Sequence, residues 1–220
     1  MDKDTIYFMP GCALELYKSE SVAKIYEYLQ QHITNIKIYK TCCRHEMTIP
    51  KGSTIIYTCS SCAMRLRVQD HTLKFESLWS ILNKWTDFIY PSYQGLQVSI
   101  HDSCTAKATP DIHEDIRHLL KNMDIQIVES KNCGMKSVCC GDNLYPSQPI
   151  EKVKYFMKKR AESMPCEYVA VYCVSCMNAI YTGGKTPLLL TDLILGEKTQ
   201  VEEIDLEKWR NTLVQYIEKH

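Results

Sequence analysis

Cysteine is the residue type in this chain whose number and spacing could do chemistry. The chain has 220 residues, and 12 of them are cysteine. Ten of these fall into two sets with the same order, which is a single cysteine, an adjacent pair and a Cys-x-x-Cys pair. The first set is Cys12, Cys42, Cys43, Cys59 and Cys62, and the second is Cys104, Cys139, Cys140, Cys173 and Cys176. One Cys-x-x-Cys pair is weak evidence, but a three-part order that occurs twice indicates an internal duplication of one ligand set.

The sequence context favours metal binding over disulfide bonding. The first residues, Met-Asp-Lys-Asp, lack the charged and then apolar pattern of a secretory signal, so we expect a cytoplasmic location. Thiols in that compartment are kept reduced. Thiolates are soft ligands that select iron–sulfur clusters, zinc or copper(I). The cysteines therefore predict a metal or redox centre in each set.

Each set holds one thiol more than the four ligands of a tetrahedral zinc ion or a cuboidal 4Fe–4S cluster. Adjacent cysteines are also awkward ligands for a single ion, because both side chains must turn toward one point. Bridging two irons of a larger cluster removes that difficulty. The surplus favours a cluster over a single metal ion, but it leaves the type of cluster open.

Short apolar, β-branched and aromatic runs precede the cysteine groups, as is typical of strands buried on both faces. These runs are Thr5–Met9, Ile36–Lys40, Thr54–Thr58, Gln97–His101, Ile125–Val128 and Tyr168–Tyr172. Helical spacing of apolar residues follows Cys12, with a cap expected at Ser19 or Ser21, and follows Cys104, with a cap at Thr109. The alternation predicts an α/β fold of two pseudo-repeated halves, each a small, mainly parallel sheet with flanking helices.

The two halves differ in one connection. The adjacent pair and the Cys-x-x-Cys pair are 15 residues apart in the first set and 32 apart in the second. The longer connection predicts a crossover helix within Gln148–Ser163. We place the boundary in the turn at Pro91–Gly95, which gives a first cysteine-rich half at residues 1–94. The second half, residues 95–220, includes an amphipathic C-terminal helix.

The cysteine groups lie where predicted strands end, and ligands of parallel sheets collect at the carboxyl ends of the strands. Helix N-termini there would stabilise negative charge and lower the pKa of thiols. We therefore expect three loop tips to bring five thiols together in each half.

Several segments carry a resemblance to a known family. They are Met9-Pro10-Gly11-Cys12, His101-Asp102-Ser103-Cys104, Cys139-Cys140-Gly141, Tyr172–Cys176 and Gly183-Gly184-Lys185. Together with the cysteine order, they resemble the CCG-type cysteine-rich domain of the disulfide-cleaving subunit of heterodisulfide reductase, over nearly the whole chain. The resemblance implies a noncubane 4Fe–4S cluster on the five cysteines of each set. It also implies an oxidoreductase subunit that cleaves a small disulfide, or acts on a related thiol substrate, with electrons from a flavin- or ferredoxin-type partner subunit.

The first set departs from the family pattern. Arg44 follows its adjacent pair where the family has glycine, and the spacing to Cys59 is short. Some relatives place zinc in one of their two motifs, so zinc is a possible occupant of the first set.

Outside the cysteine sets, His101 is the candidate catalytic residue, because histidine titrates near neutrality and could donate a proton to a leaving thiolate. It could equally fix the cysteine loop through a hydrogen bond. Cys133 and Cys166 lie outside both sets. We expect Cys166 to pack as a small buried apolar residue, and Cys133 either to pack in its loop or to line the site as a thiol.

The bulk composition excludes two classes of partner. Balanced charge, 26 basic against 26 acidic residues, predicts no nucleic-acid partner, and no apolar run is long enough to predict a membrane span. An electron carrier that binds no substrate and a zinc-stabilised structural protein remain the alternative functions.

Overall fold

The computed structural model describes residues 5–201 and 205–220, which form two compact units. The first unit comprises residues 1–84 and 207–220, and the second comprises residues 85–206. Each unit contains one four-stranded, all-parallel sheet with flanking helices. The predicted fold class of two pseudo-repeated α/β halves is confirmed.

The first unit begins with the element order β-α-β-β-α-β-α. These elements are β1 (Ile6–Met9), α1 (Cys12–His32), β2 (Lys37–Ile38), β3 (Thr54–Tyr57), α2 (Ser60–Gln69), β4 (Lys74–Ser77) and α3 (Leu78–Lys84). The strands lie in the order β2-β1-β3-β4. β1 is therefore a central strand, paired with β2 on one side and with β3 on the other.

The second unit repeats this sheet. Its elements are β5 (Leu96–Ile100), α4 (Asp111–Asn122), β6 (Ile125–Ile127), α5 (Ile150–Glu162), β7 (Tyr168–Val171), α6 (Val174–Thr182), β8 (Thr186–Leu189) and α7 (Leu190–Leu195). The strands lie in the order β6-β5-β7-β8, which is the order of the first sheet. The crossover helix expected in the longer connection is α5, and the described residues between β2 and β3 contain no corresponding helix. The duplication thus extends from the cysteine order to the sheet topology.

Apolar residues of the predicted strands and helices form the cores. In the first unit Phe8 and Ile55 are buried on neighbouring strands, and in the second Val98 and Val169 occupy corresponding strands. The predicted apolar face of α4 is buried along its whole length. Its members are Ile112, Ile116, Leu119, Leu120 and Met123. This burial supplies the driving force that holds each helix on its sheet.

The start of α1 differs from the expectation. The helix begins at Cys12 rather than at Ser19 or Ser21, and it is interrupted at Lys18, which has φ −159° and ψ 77°. The expected cap therefore falls beside an interruption within a longer helix. A helix that begins at the first cysteine brings that residue directly to the end of β1.

The division between the units also differs from the expected 94/95 boundary. Tyr93 belongs to the second unit, where its N–H donates to the carbonyl of Met123 at 2.8 Å and its hydroxyl donates to the carbonyl of Leu193 at 2.9 Å. The turn that we took as a linker is thus bonded into the second unit. The boundary lies after Lys84.

The C-terminal helix, α8 (Leu206–Lys219), was expected in the second half, but residues 207–220 belong to the first unit. The carbonyl of His220 accepts the backbone N–H of Cys42 at 3.2 Å, and a ring nitrogen of His45 lies 2.6 Å from the carbonyl of Ile217. The amphipathic pattern showed that one face of the helix would be buried. It did not show which surface would bury it.

Candidate metal centres

The first cysteine set lies at the carboxyl edge of the first sheet. β1 ends at Met9, and Cys12 is the first residue of α1. Cys59 is the N-cap residue of α2, directly beyond β3, and Cys62 lies in the first turn of that helix. The adjacent pair occupies the loop that follows β2. Because parallel strands end at the same edge, three loop tips meet there, as the sequence predicted.

The five thiols of this set form one connected group. The sulfur of Cys42 lies 3.9 Å from that of Cys12. Further thiol contacts join Cys42 to Cys43, Cys43 to Cys62, and Cys62 to Cys59. Along the group the order is therefore 12–42–43–62–59. We call these five residues the first centre.

The second set has the same placement and the same order of contacts. Cys104 begins a 3₁₀ turn after β5, and Cys173 is the N-cap residue of α6 after β7. The thiol contacts run 104–139–140–176–173. Each position corresponds to its counterpart in the first centre. We call these five residues the second centre.

The first thiol of the adjacent pair has a lowered pKa in each centre, and in the first centre a hydrogen bond with Cys62 also lowers the pKa of Cys59, to about 6. A hydrogen bond from Cys12, with a second from Cys43, lowers the pKa of Cys42 to about 2. In the second centre, hydrogen bonds from Cys104 and Cys140 lower the pKa of Cys139 to about 2.

The neighbouring thiols respond in the opposite sense. The hydrogen bond to Cys42 raises the pKa of Cys43 to about 12, and the bond to Cys139 raises the pKa of Cys104 far above its ordinary value. Several thiolates so close together repel one another, so a bound cation is needed before the remaining thiols ionise. The donor set of each centre therefore suits a positively charged metal or cluster.

Gly11 lets the backbone before Cys12 lie close to Cys59 and Cys62. Its φ of 84° lies in the region that favours glycine. A Cβ there would lie 3.3 Å from the Cβ of Cys59 and 3.5 Å from the sulfur of Cys62. The glycine of Met-Pro-Gly-Cys thus leaves space beside the thiol group.

The departure at Arg44 has a structural explanation. Its counterpart Gly141 has φ 105°, and a Cβ there would lie 3.3 Å from the backbone nitrogen of Met157 in α5. The first unit has no described helix between β2 and β3, so Arg44 meets no equivalent of α5. In both centres the backbone N–H of this residue donates to the first sulfur of the pair, and at Gly141 the N···S distance is 3.4 Å.

His101, the candidate catalytic residue, lies beneath the second centre. One of its ring nitrogens is within 4.8 Å of the sulfurs of Cys140 and Cys176. The side chain of His101 is closed off from solvent, with the residue 1% exposed, and its Nδ1 accepts the Nε–H of Arg160 at 2.8 Å. Burial, with the nearby charge of Arg160, lowers the pKa of His101 to about 3, so the ring is neutral. This geometry favours the hydrogen-bonding alternative, and the catalytic role stays a prediction.

The loop before Cys104 is held by a buried carboxylate whose role sequence reasoning missed. Asp102 accepts hydrogen bonds from Arg117 at 2.9 Å, from His113 at 3.1 Å and from the backbone N–H of Gly134 at 2.6 Å. The hydroxyl of Tyr172 also donates to it, at 3.3 Å. Although burial opposes this shift, the bonds from His113 and Arg117 hold the pKa of Asp102 well below its ordinary value. A charged Asp102 ties β5, α4 and the loop of Gly134 together next to the second centre.

Arg160 is the second functional residue that sequence reasoning missed. It lies on the buried face of α5 beside Val153, Met157 and Ala161. A charged residue on an otherwise apolar helix face was the signal that could have identified it, since buried arginine is uncommon without a partner.

The two remaining cysteines lie outside the thiol groups just described. The thiol of Cys133 has a raised pKa, because of burial and the nearby carboxylate of Glu129. Cys166 is tied through its backbone, whose N–H donates to Ser99 at 2.9 Å and whose carbonyl accepts from Lys185 at 2.9 Å. These bonds fix the backbone of Cys166, and the packing role of its thiol stays a prediction.

The chain matches no protein-family model, and no curated protein matches it in sequence. In the part of the chain that the structure describes, none of the helices combines the length and apolar character that crossing a bilayer requires. Function must therefore be argued from the two centres.

Proposed function

We propose that each centre holds an iron–sulfur cluster and that the chain is a redox protein that reduces a disulfide or a similar two-electron acceptor. The observation that carries this proposal is the shared arrangement of sulfurs, in which five thiols make the same sequence of contacts in both units. A tetrahedral zinc ion takes four ligands and would leave one thiol of each group unused.

The adjacent pair supports a centre with more than one metal atom. Cys42 contacts Cys12, whereas Cys43 contacts Cys62. Cys139 and Cys140 divide in the same way, toward Cys104 and Cys176. Neighbouring residues that reach opposite sides of a thiol group are suited to bridge different irons. A noncubane 4Fe–4S cluster, as the resemblance to heterodisulfide reductase implies, uses five such ligands.

The protein's own part in the chemistry is to hold and tune this charge. Cys42 and Cys139, whose thiols have lowered pKa values, would be the first ligands to bind a cation in each centre. The N-termini of α1, α2 and α6 stabilise the negative charge of the bound thiolates. When bound, an iron–sulfur cluster supplies electrons singly at a potential set by its surroundings.

The net reaction consumes two electrons and two protons per disulfide. The sulfur–sulfur bond breaks and each sulfur leaves as a thiol. We propose that the electrons come from a flavin- or ferredoxin-type partner and the protons from solvent. The sulfur of Cys139 lies 2.9 Å from the side-chain oxygen of Asn143 in an exposed contact, and we propose that a small disulfide approaches the second centre there.

The proposal is tested by metal and sulfide analysis of protein purified without oxygen, together with paramagnetic resonance. We expect a brown protein with several irons and sulfides per chain. In Cys43→Ala and Cys140→Ala we expect about half of the iron to remain, because each variant loses one of two separate thiol groups. A matched control is Cys166→Ala, which should keep all the iron. A colourless protein with zinc in both centres would contradict the redox function.

A non-catalytic electron carrier is the second candidate, and the burial of His101 favours it. A residue that is 1% exposed does not reach a substrate in solution, so the predicted proton donor is withdrawn from the reaction. Addition of small disulfides to the reduced protein separates the two functions. A disulfide-dependent change in the resonance signal supports the reductase, and an unchanged signal with every disulfide supports the carrier.

A further inference from the structure

The two centres differ at one buried position. Three residues before the first cysteine of each set, the first unit has Met9 and the second has His101. Both side chains are buried where the central strand of their sheet ends. At this position the first unit carries a thioether, which donates no hydrogen bond, and the second unit carries an imidazole.

Arg160 fixes the proton of that imidazole. Its Nε–H donates to Nδ1 of His101 at 2.8 Å, and its other nitrogens donate to the carbonyl of Asn132 at 2.9 Å and to Ser163 at 3.2 Å. Arginine keeps its protons and has no acceptor atom. Nδ1 must therefore be the acceptor, and in a neutral ring the proton lies on Nε2.

This protonation excludes His101 as a metal ligand. A ring nitrogen near Cys140 and Cys176 would ordinarily suggest a ligand. Here Nδ1 is occupied by Arg160 and Nε2 has no lone pair to give. Among the described residues, Nε2 is buried with no hydrogen-bond partner. A buried N–H without an acceptor is costly, unless a group bound at the centre accepts a hydrogen bond from it.

We propose that Nε2–H of His101 donates a hydrogen bond to sulfur at the second centre and, with the buried charge of Arg160, makes that centre easier to reduce than the first. Reduction adds negative charge, which a hydrogen bond and a nearby cation stabilise. The first unit has Met9 in place of the histidine, and its described residues contain no helix corresponding to α5. The arginine near its thiols is Arg44, which acts on Cys42 but is exposed, so solvent screens its charge more than that of the buried Arg160. The redox part rests on the proposed function, and electrons would collect at the second centre.

The hydrogen bond is tested first, by nitrogen NMR of the protein as purified, with ¹⁵N-labelled histidine. We expect a His101 ring that carries its proton on Nε2 and none on Nδ1 between pH 6 and 8. A proton on Nδ1, or a metal-bound Nε2, would overturn the inference. This measurement does not depend on iron, so a zinc protein with the expected ring would end the redox function but keep the assignment of the proton to Nε2.

The effect on the centres is tested by a redox titration followed by paramagnetic resonance, with the two signals assigned from Cys43→Ala and Cys140→Ala. In His101→Met, which installs the residue of the first unit, we expect the ratio of reduced to oxidised second centre to fall about tenfold at a fixed potential. For a one-electron couple this is a shift of about 59 mV to more negative potential. The first centre should not change.

The matched control is His118→Met, the same change at an exposed position of α4, which should leave both potentials unaltered. Arg160→Gln is the second variant, should His101→Met fail to fold. It keeps an N–H for Nδ1 but removes the charge, so we expect a smaller shift in the same direction. An unchanged reduction potential of the second centre in the folded variants would overturn the proposed effect on reduction. A wild-type second centre that is harder to reduce than the first would overturn it as well.

Discussion

Two neighbouring glycines show how single residues position the second centre. Gly183, where α6 ends, has an ordinary φ of −76°, but a Cβ there would lie 2.5 Å from the Cβ of Ala161 and 2.7 Å from the carbonyl oxygen of Met157. Gly184 has φ 89° and open space around it. The first glycine is required by close packing of α6 on α5, and the second by its backbone conformation.

Replacing each glycine by alanine is expected to lower the free energy of unfolding by a different amount. Gly183→Ala should lower the free energy of unfolding by about 3 kcal/mol, because a backbone carbonyl blocks the new methyl group. Gly184→Ala should cost about 1 kcal/mol, the strain of a left-handed residue with a Cβ. Urea unfolding of both variants measures the difference. Equal losses would show that α5 and α6 can separate without penalty.

For single residues, the sequence predicted where the cysteine sulfurs lie better than it predicted the side chains around them. Each cysteine group follows an apolar run, so its place at a strand end could be inferred from neighbouring residues alone. The partners of Arg160 and Asp102 could not be inferred in this way, even where the apolar face around Arg160 indicated burial. Their roles depend on partners 59 and 32 residues away, His101 and Gly134.

α8 is one of the elements that hold the loop of the first centre. Its buried residues Leu213 and Ile217 pack in the first unit, and its last residues bond the loop of Cys42 and His45. We expect Ile217→Ala to lower the free energy of unfolding by about 2 kcal/mol, because a buried side chain is truncated. It should also speed iron loss from the first centre to a chelator and leave the second centre unaffected.

Val214→Ala is the control on the same helix, since Val214 is 44% exposed, and it should change the free energy of unfolding by less than about 0.5 kcal/mol. Faster iron loss from the second centre in Ile217→Ala would contradict the assignment of α8 to the first unit.

The amphipathic pattern of α8 was predictable, but its location was not, since any apolar surface could have covered it. β4 was missed for a related reason, because the charged residues Lys74 and Glu76 interrupt its apolar character.

At the scale of the whole molecule, the second unit is continuous in sequence and the first is not. Residues 85–206 form one compact unit with its own sheet and five thiols, whereas the first unit needs both ends of the described chain. We expect a chain of residues 85–206 to fold alone and to hold one cluster. A chain of residues 1–84 should bind metal weakly, because it lacks the helix that bonds the loop of Cys42.

The boundary between the units can be tested with chains that begin at residue 85 or at residue 95. A chain of residues 95–206 begins where the sequence placed the second half, but it lacks Tyr93 and its bonds to Met123 and Leu193. Each lost hydrogen bond costs about 1 kcal/mol, so this chain should unfold at lower urea concentration than residues 85–206. Iron content and urea midpoints of the three chains measure these differences. Equal midpoints for the two longer pieces would place the boundary at the turn, and strong metal binding by residues 1–84 would show that α8 is not needed at the first centre.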